Sequence, residues 1–171
     1  MNKNNVDNLT IVVTGLAWMG HGICSIDSTI EQMLTEASDE IQVAAYMITE
    51  GAKAFIKLLS DCLNRGIKVT LILNRFRGQP KETQTAIAQL VRQFVHFSLF
   101  DFNPKNEMED LHAKLIVMDR SKALVGSSNL SWKGLILNHE LAVLIEGPTA
   151  ARIGNLIDIL AKDIRTKPVE L

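Results

Sequence analysis

Two cysteines, Cys24 and Cys62, are too few to staple a fold of 171 residues, and a domain of that length buries enough surface to stand without a bridge. They read as reduced core thiols of a cytoplasmic protein, with a disulfide between them as the alternative. An excess of positive charge is also missing. The chain has 18 Lys and Arg against 19 Asp and Glu, for a net charge of -1, so no global field marks a nucleic-acid binder and any cationic site must be local. The apolar run Leu9 to Met19 is too short to span a bilayer. Thr10 and Thr14 interrupt it and no small-x-small cleavage site follows, so it reads as a buried strand and not as an export signal. No internal repeat is visible, and the chain has no second half to supply a second site. No Cys, His, Asp or Glu cluster has metal-ligand spacing, so neither a metal nor another cofactor is expected. Gly15-Leu-Ala-Trp-Met-Gly20 has the glycine spacing of a phosphate-cradling loop, but His21 and Gly22 stand where that loop needs Lys and Ser or Thr. It reads as a tight turn.

The 47% hydrophobic content is arranged as alternating strand and helix patterns. After a polar leader, residues 1–8, a β-branched stretch from Leu9 to Leu16 predicts a first strand. A capping box at Ser28 and Glu31 opens a helix carrying Ile30, Met33, Leu34 and Ala37. Strands are predicted over Glu40 to Ile48, Ile67 to Asn74 and Val95 to Asp101. Between them lie helices with Phe55, Leu59 and Cys62, then Ile87, Leu90 and Phe94, on their apolar faces. Two close strands follow, Leu111 to Met118 and Lys122 to Gly126, then a strand from His139 to Ile145. A last helix places Ile153, Leu156, Ile157, Leu160 and Ile164 on one stripe. Such alternation predicts one α/β domain over residues 9–167, with a mostly parallel or mixed sheet between helices on both faces.

Chemistry concentrates in Leu111-His-Ala-Lys-Leu-Ile-Val-Met-Asp119, then Val125-Gly-Ser-Ser-Asn-Leu130, then Asn138-His-Glu140. In extended chain His112 and Lys114 share one face, while Ala113, Leu115 and Val117 take the other. Asp119 is suited to fix the following turn. His112-x-Lys114 with Asp119, followed by Gly126-Ser127-Ser-Asn129 and Glu140, resembles the HKD signature of the phospholipase D superfamily, in the spacing of its small single-motif nucleases. That resemblance implies a metal-independent phosphodiesterase in which two copies of the chain, each with one motif, build one active site.

The residue types suit that chemistry independently. His112 can attack phosphorus to give a phosphohistidine, and the same residue of a second copy can protonate the leaving oxygen. Lys114 and Asn129 are suited to hold the non-bridging oxygens, and Ser127 and Glu140 to orient the histidine. Gly126 is taken as a structural member of the motif. Of the other histidines, His21 and His96 read as surface and sheet-edge residues, and His139 as a strand or loop residue. Trp132 reads as packing beneath the site.

For substrate, Arg75 and Arg77 follow the third strand, where loops border the crevice of an open α/β sheet, and could track a polynucleotide backbone. The alternative is a solvated loop. A DNA or RNA endonuclease, in a restriction or phage-defence setting and within a larger assembly, is the leading expectation. A phospholipid hydrolase or phosphatidyl transferase is the second. Its only apolar candidates for a bilayer contact, Trp18-Met19 and Leu135-Ile136-Leu137, read as buried strand ends, so no membrane partner is expected. A catalytically idle nucleic-acid-binding subunit is the third.

Overall fold

A computed structural model describes residues 6–49 and 53–170, so most of the polar leader lies outside the described residues. The strands are β1 (Asn8–Thr14), β2 (Glu40–Ala45), β3 (Lys68–Asn74), β4 (Phe97–Phe102), β5 (Lys114–Met118), β6 (Lys122–Gly126), β7 (Glu140–Glu146) and β8 (Thr166–Pro168). The helices are α1 (Ile26–Glu36), α2 (Lys53–Asn64), α3 (Lys81–Gln93) and α4 (Pro148–Ala161). All eight strands join one sheet, in the order β1-β7-β6-β5-β2-β3-β4-β8.

The α/β sheet with helices on both faces is as the sequence predicts, and its pairing is mixed. Parallel pairing is confined to β2 with β3 and β3 with β4, where α2 and α3 supply the crossovers that parallel strands need. The turn at Asp119–Arg120 is too short for a crossover, so β5 and β6 run antiparallel. Both turn residues have positive φ, 48° and 51°, a conformation that Asp tolerates better than most side chains. The remaining neighbours, including β2 with β5, also pair antiparallel.

Period-two alternation sorts the strand residues into two cores. Val43, Leu71, Leu99, Ile116 and Leu124 pack under α1, α2 and α3. On the other face Ala44, Ile72, Phe102, Val117 and Ala123 pack under Ala150 and Ile157 of α4. Four local expectations change. The cap of α1 is Ser25, whose side chain accepts from the Ser28 backbone N–H, because the chain turns helical three residues earlier than the Ser28-Glu31 pair implied. Val95 is fully exposed and β4 begins at Phe97. Ile164 lies beyond the end of α4 and is exposed, and Leu156 faces outward. Three-residue β8 is too short to show any alternation in sequence.

Candidate active site

The strand ends β5, β6 and β7 bring the motif residues to one edge of the sheet. Lys114 opens β5 opposite Ala45 at the end of β2. Gly126 closes β6 opposite Ala142, and Glu140 opens β7 opposite Thr14. A side chain on Gly126 would collide with the Cβ of Ala142, so glycine there allows β6 and β7 to approach. Asp119 sits at the far end of β5. Its carboxylate accepts from the backbone N–H groups of Ser38, Asp39 and Glu40 and from the Ser38 hydroxyl, each at 2.9 Å. The third letter of the motif is thus a tie between the β5–β6 turn and the start of β2. Partial burial pushes its carboxyl pKa up, but those hydrogen bonds outweigh that and hold it below the usual carboxylate range.

His112 is exposed and lies two residues before β5. The Lys114 ammonium stands 3.2 Å from His112 Nδ1 and donates to the His112 carbonyl at 2.8 Å. An ammonium can only donate, so the imidazole accepts in that contact. Burial pushes the Lys114 pKa below its ordinary value, while the Glu140 charge opposes the shift. Across the edge, the Ser127 hydroxyl donates to Glu140, whose other oxygen accepts from Asn138 Nδ2 at 3.2 Å.

Within one chain, the hydrogen bonds of the His112 ring go to Lys114 alone among the described residues, and Ser127 and Glu140 do not reach it. This corrects the expectation that they orient it. The ring that flanks His112 is Tyr46, with centroids 4.9 Å apart, and Lys114 Nζ lies 5.4 Å from the same ring. The sequence reading missed Tyr46. Its signal was position, one residue beyond the carboxyl end of β2 and beside a parallel pair, where binding crevices form. Asn129 lies in the connection after β6, and its side-chain Oδ1 is enclosed without a hydrogen-bond donor. That connection is held by a close fit, since a Cβ on Gly134 would strike the Asn129 carbonyl.

Arg75 is not a free substrate cation. It adopts the left-handed conformation, with φ of 44°. Its guanidinium clamps the following loop, bonding the Asp110 carboxylate at 3.2 Å, the Asn103 side chain at 3.3 Å and the Glu109 carbonyl at 3.0 Å. Asn74 and Arg75 together hold the Asp110 carboxyl pKa below its ordinary value. Phe76 is buried. Arg77 is exposed beside Asp101, Asn103 and Lys167 at the β4–β8 edge.

His139 is structural. Its Nε2 accepts from the Ala17 N–H at 3.2 Å, and its ring meets the edge of Trp18. A Cβ on Gly15 would lie 2.6 Å from His139 Cδ2, so the Gly15–Gly20 segment is a turn seated on this imidazole. His96 Nε2 lies 3.0 Å from the Leu63 carbonyl. Trp132 is half exposed, correcting its placement beneath the site: Leu135, in the short helical segment Lys133–Leu137 that Trp132 caps, takes the inward position. Trp18, Met19, Ile136 and Leu137 are likewise partly exposed on connections and are not buried strand ends.

A family model described as the PLD-like domain of cardiolipin synthase matches residues 30–160. The chain belongs to the phospholipase D-like family. Among known relatives, the DISARM protein DrmC of Bacillus paralicheniformis is 25% identical over 136 residues, covering 80% of this chain and 56% of that protein. Cardiolipin synthase B of Shigella flexneri is 30% identical over 118 residues, covering 67% of this chain and 27% of that protein. This phospholipase D-like chain therefore spans about half or less of those relatives' length. Among solved structures, NucT from Helicobacter pylori has a TM-score of 0.75 at 16% identity, covering 97% of this chain and all of that one. Nuc from Salmonella typhimurium, a phospholipase D family member, has a TM-score of 0.73 at 17% identity, with the same coverage. These two likenesses establish the phospholipase D-like fold.

If Tyr46 positions the phospholipase D-like pair of His112 and Lys114, Tyr46→Leu will lower kcat roughly 3- to 10-fold, the scale of one aromatic or cation–π contact. Tyr46→Phe keeps the ring and will retain most activity. Steady-state kinetics on the three proteins across pH make the comparison; equal losses for Leu and Phe would assign the role to the hydroxyl instead.

Proposed function

We propose that this chain is a metal-independent phosphodiesterase that acts on nucleic acid through a phosphohistidine and completes its site with a second copy of itself. The observation that carries this reading is the sheet edge itself. One exposed imidazole stands beside one part-buried ammonium, with a serine–glutamate pair opposite. The His112 imidazole attacks phosphorus, forming a P–N bond as the P–O bond to the leaving group breaks. The leaving oxygen takes a proton from the second copy's imidazole. That imidazole then takes a proton from water, whose oxygen displaces His112 and yields the phosphomonoester. Lys114 neutralises the non-bridging oxygens, and Asn129 is assigned to hold them with it. A single chain has one such imidazole, and the cycle needs two.

Nucleic acid is favoured because the sequence resembles the compact single-motif nucleases of the family, and because NucT and Nuc are matched over their whole length. A place in a restriction or phage-defence assembly rests on that resemblance and on the likeness to the DISARM protein DrmC. The second reading, a phospholipid phosphodiesterase, is favoured by the exposed Trp18, Met19, Ile136 and Leu137. No helix among the described residues is long and apolar enough to cross a membrane. The deciding experiment offers single- and double-stranded DNA, RNA and phosphatidylcholine vesicles to the protein in excess chelator. Chelator-resistant polynucleotide cleavage is the expected outcome. Lipid turnover alone would put the second reading first, and binding of DNA with no cleavage of any substrate would make the chain an idle binding subunit.

A further inference from the structure

Beside strand β8 the surface carries a local surplus of positive charge. Three open crevices run together there, of about 470, 240 and 490 Å³. The first shares Phe76, Arg77 and Val169 with the second, and Asn103 and Lys167 with the third, so they form one continuous groove from α3 across β8 to the connection after β4. Arg77, Lys81, Lys105 and Lys167 line it and are exposed, and none of the four is in an ion pair among the described residues. A fifth cation, Arg165, is held by Glu109 at 3.1 Å and Asp163 at 2.7 Å. Glu109 is thus taken, and Asp101 accepts from the Phe76 N–H at 2.7 Å; Glu170 is the other acid in the groove. In a chain of net charge -1, such a local surplus is what a polyanion would find. The groove also lies at the same end of the sheet as the motif. Lys114 stands opposite Ala45, where β2 ends; β2, β3 and β4 run parallel, and Lys167 stands opposite Asp101 near the end of β4. Four strand steps separate β5 from β8, roughly 19 Å at ordinary strand spacing.

We propose that this groove is a second binding site for the substrate polynucleotide, holding its sugar-phosphate backbone about six nucleotides from the bond that is cleaved. That spacing is the roughly 19 Å offset divided by the about 3.4 Å between successive phosphates along a duplex axis. The proposal rests on the reading of the chain as a nucleic-acid phosphodiesterase, and it adds how a long substrate is told from a short one. Cations without a protein partner suit phosphate contacts, because no internal pair has to be broken before counterions are released from the backbone. A lysine ammonium meets phosphate as a point charge and reads no base edge, so the grip carries no sequence preference. The start of α3 adds to it. Lys81 is the first residue of that 13-residue helix and Pro80 supplies no side-chain cap, which leaves the positive end of the helix dipole to an anion. A bilayer fits the groove poorly. Of the exposed large apolar side chains among the described residues, Ile164 alone lines it. Trp18, Met19, Ile136 and Leu137 sit on connections of β1, β6 and β7, at the other side of the strand order, whereas a membrane-binding surface carries its cations and apolar anchors together.

The test compares the full-length wild type with two triple variants, Lys81→Gln/Lys105→Gln/Lys167→Gln in the groove and Lys68→Gln/Arg92→Gln/Arg152→Gln outside it. All six side chains are exposed, so both variants should keep the wild-type far-UV circular dichroism, and the second removes the same charge elsewhere. Fluorescence anisotropy follows labelled single- and double-stranded DNA of about 30 nucleotides over a range of salt. The groove variant is expected to bind roughly 30-fold more weakly, with the slope of log affinity against log salt smaller by about three, and the outside variant to stay within about 3-fold of the wild type. Wild-type affinity in the groove variant, or an equal loss in both variants, would overturn the proposal. So would a loss of binding to phosphatidylglycerol vesicles with DNA affinity unchanged, which would give the groove to a bilayer. Turnover separates this from the parent reading. On bis(p-nitrophenyl) phosphate, too small to reach the groove, the groove variant should match the wild type, whereas on the long DNA its KM should rise with kcat kept; an unchanged KM on the long DNA would count against the groove. A wild type that cleaves neither substrate would refute the phosphodiesterase reading, and the binding comparison would still decide the groove.

Discussion

Under the proposed mechanism, His112→Ala will abolish phosphodiester cleavage, by about 10⁴-fold or more in kcat, while leaving the fold intact. The size follows from the number of roles lost. A nucleophile cannot be replaced by a methyl group, and in a two-fold site the same substitution also removes the group that protonates the leaving oxygen. The fold is spared because His112 is exposed and precedes β5, and among the described residues its ring stacks near Tyr46 and hydrogen-bonds with Lys114. Single-turnover kinetics against the wild type measure the loss. Acid quenching of wild-type reactions on end-labelled substrate should trap label on the protein, and the variant should trap none. Residual cleavage within about 10-fold of wild type would remove His112 from the chemistry.

Asp119→Ala will lose about 2 kcal/mol of stability near neutral pH. Its carboxylate accepts four hydrogen bonds that tie two turns from distant parts of the chain. Bonds to a charged acceptor count for more than neutral ones, but solvent near this group screens them. The pH dependence has a definite sign. The folded-state pKa of Asp119 is depressed, so its contribution is complete above the unfolded carboxyl pKa of about 3.9 and is lost as pH falls through the lower folded value. The gap between wild type and variant in urea denaturation should therefore close below about pH 4. A gap that stays constant down to about pH 2 would mean that the ionised carboxylate is not what the turns depend on.

Periodicity carried most of the fold. The two faces of β5 are written in Ala113, Leu115 and Val117 against Ile116 and Met118, and the structure sorts them into separate cores. The parallel centre was legible because α2 and α3 separate strands by enough chain for a crossover. The antiparallel half was harder to read: pairing between β2 and β5, or β1 and β7, is settled by contacts far apart in sequence. At the site, residues with several chemical uses were the ones misjudged. Arg75 has the right charge and position for a phosphate, and nothing local reveals that Asn103, Glu109 and Asp110 surround it. Ser127 and Glu140 were both assigned to orient His112, but whether they face it or one another depends on side-chain directions at strand ends. Tyr46, with no motif of its own, could be found only by topology.

Lys114, Gly126 and Glu140 each stand at a strand terminus whose register is fixed by a ladder of backbone bonds. The connections that surround them, residues 15–25 and 103–109, carry little of that ladder and none of the reacting groups. Lengthening or exchanging those segments would leave the spacing of the three anchored positions unchanged. A lineage built on this sheet can thus drift in what it admits to the edge while inheriting the same reacting groups, with selection on substrate acting through one part of the chain and selection on chemistry through another.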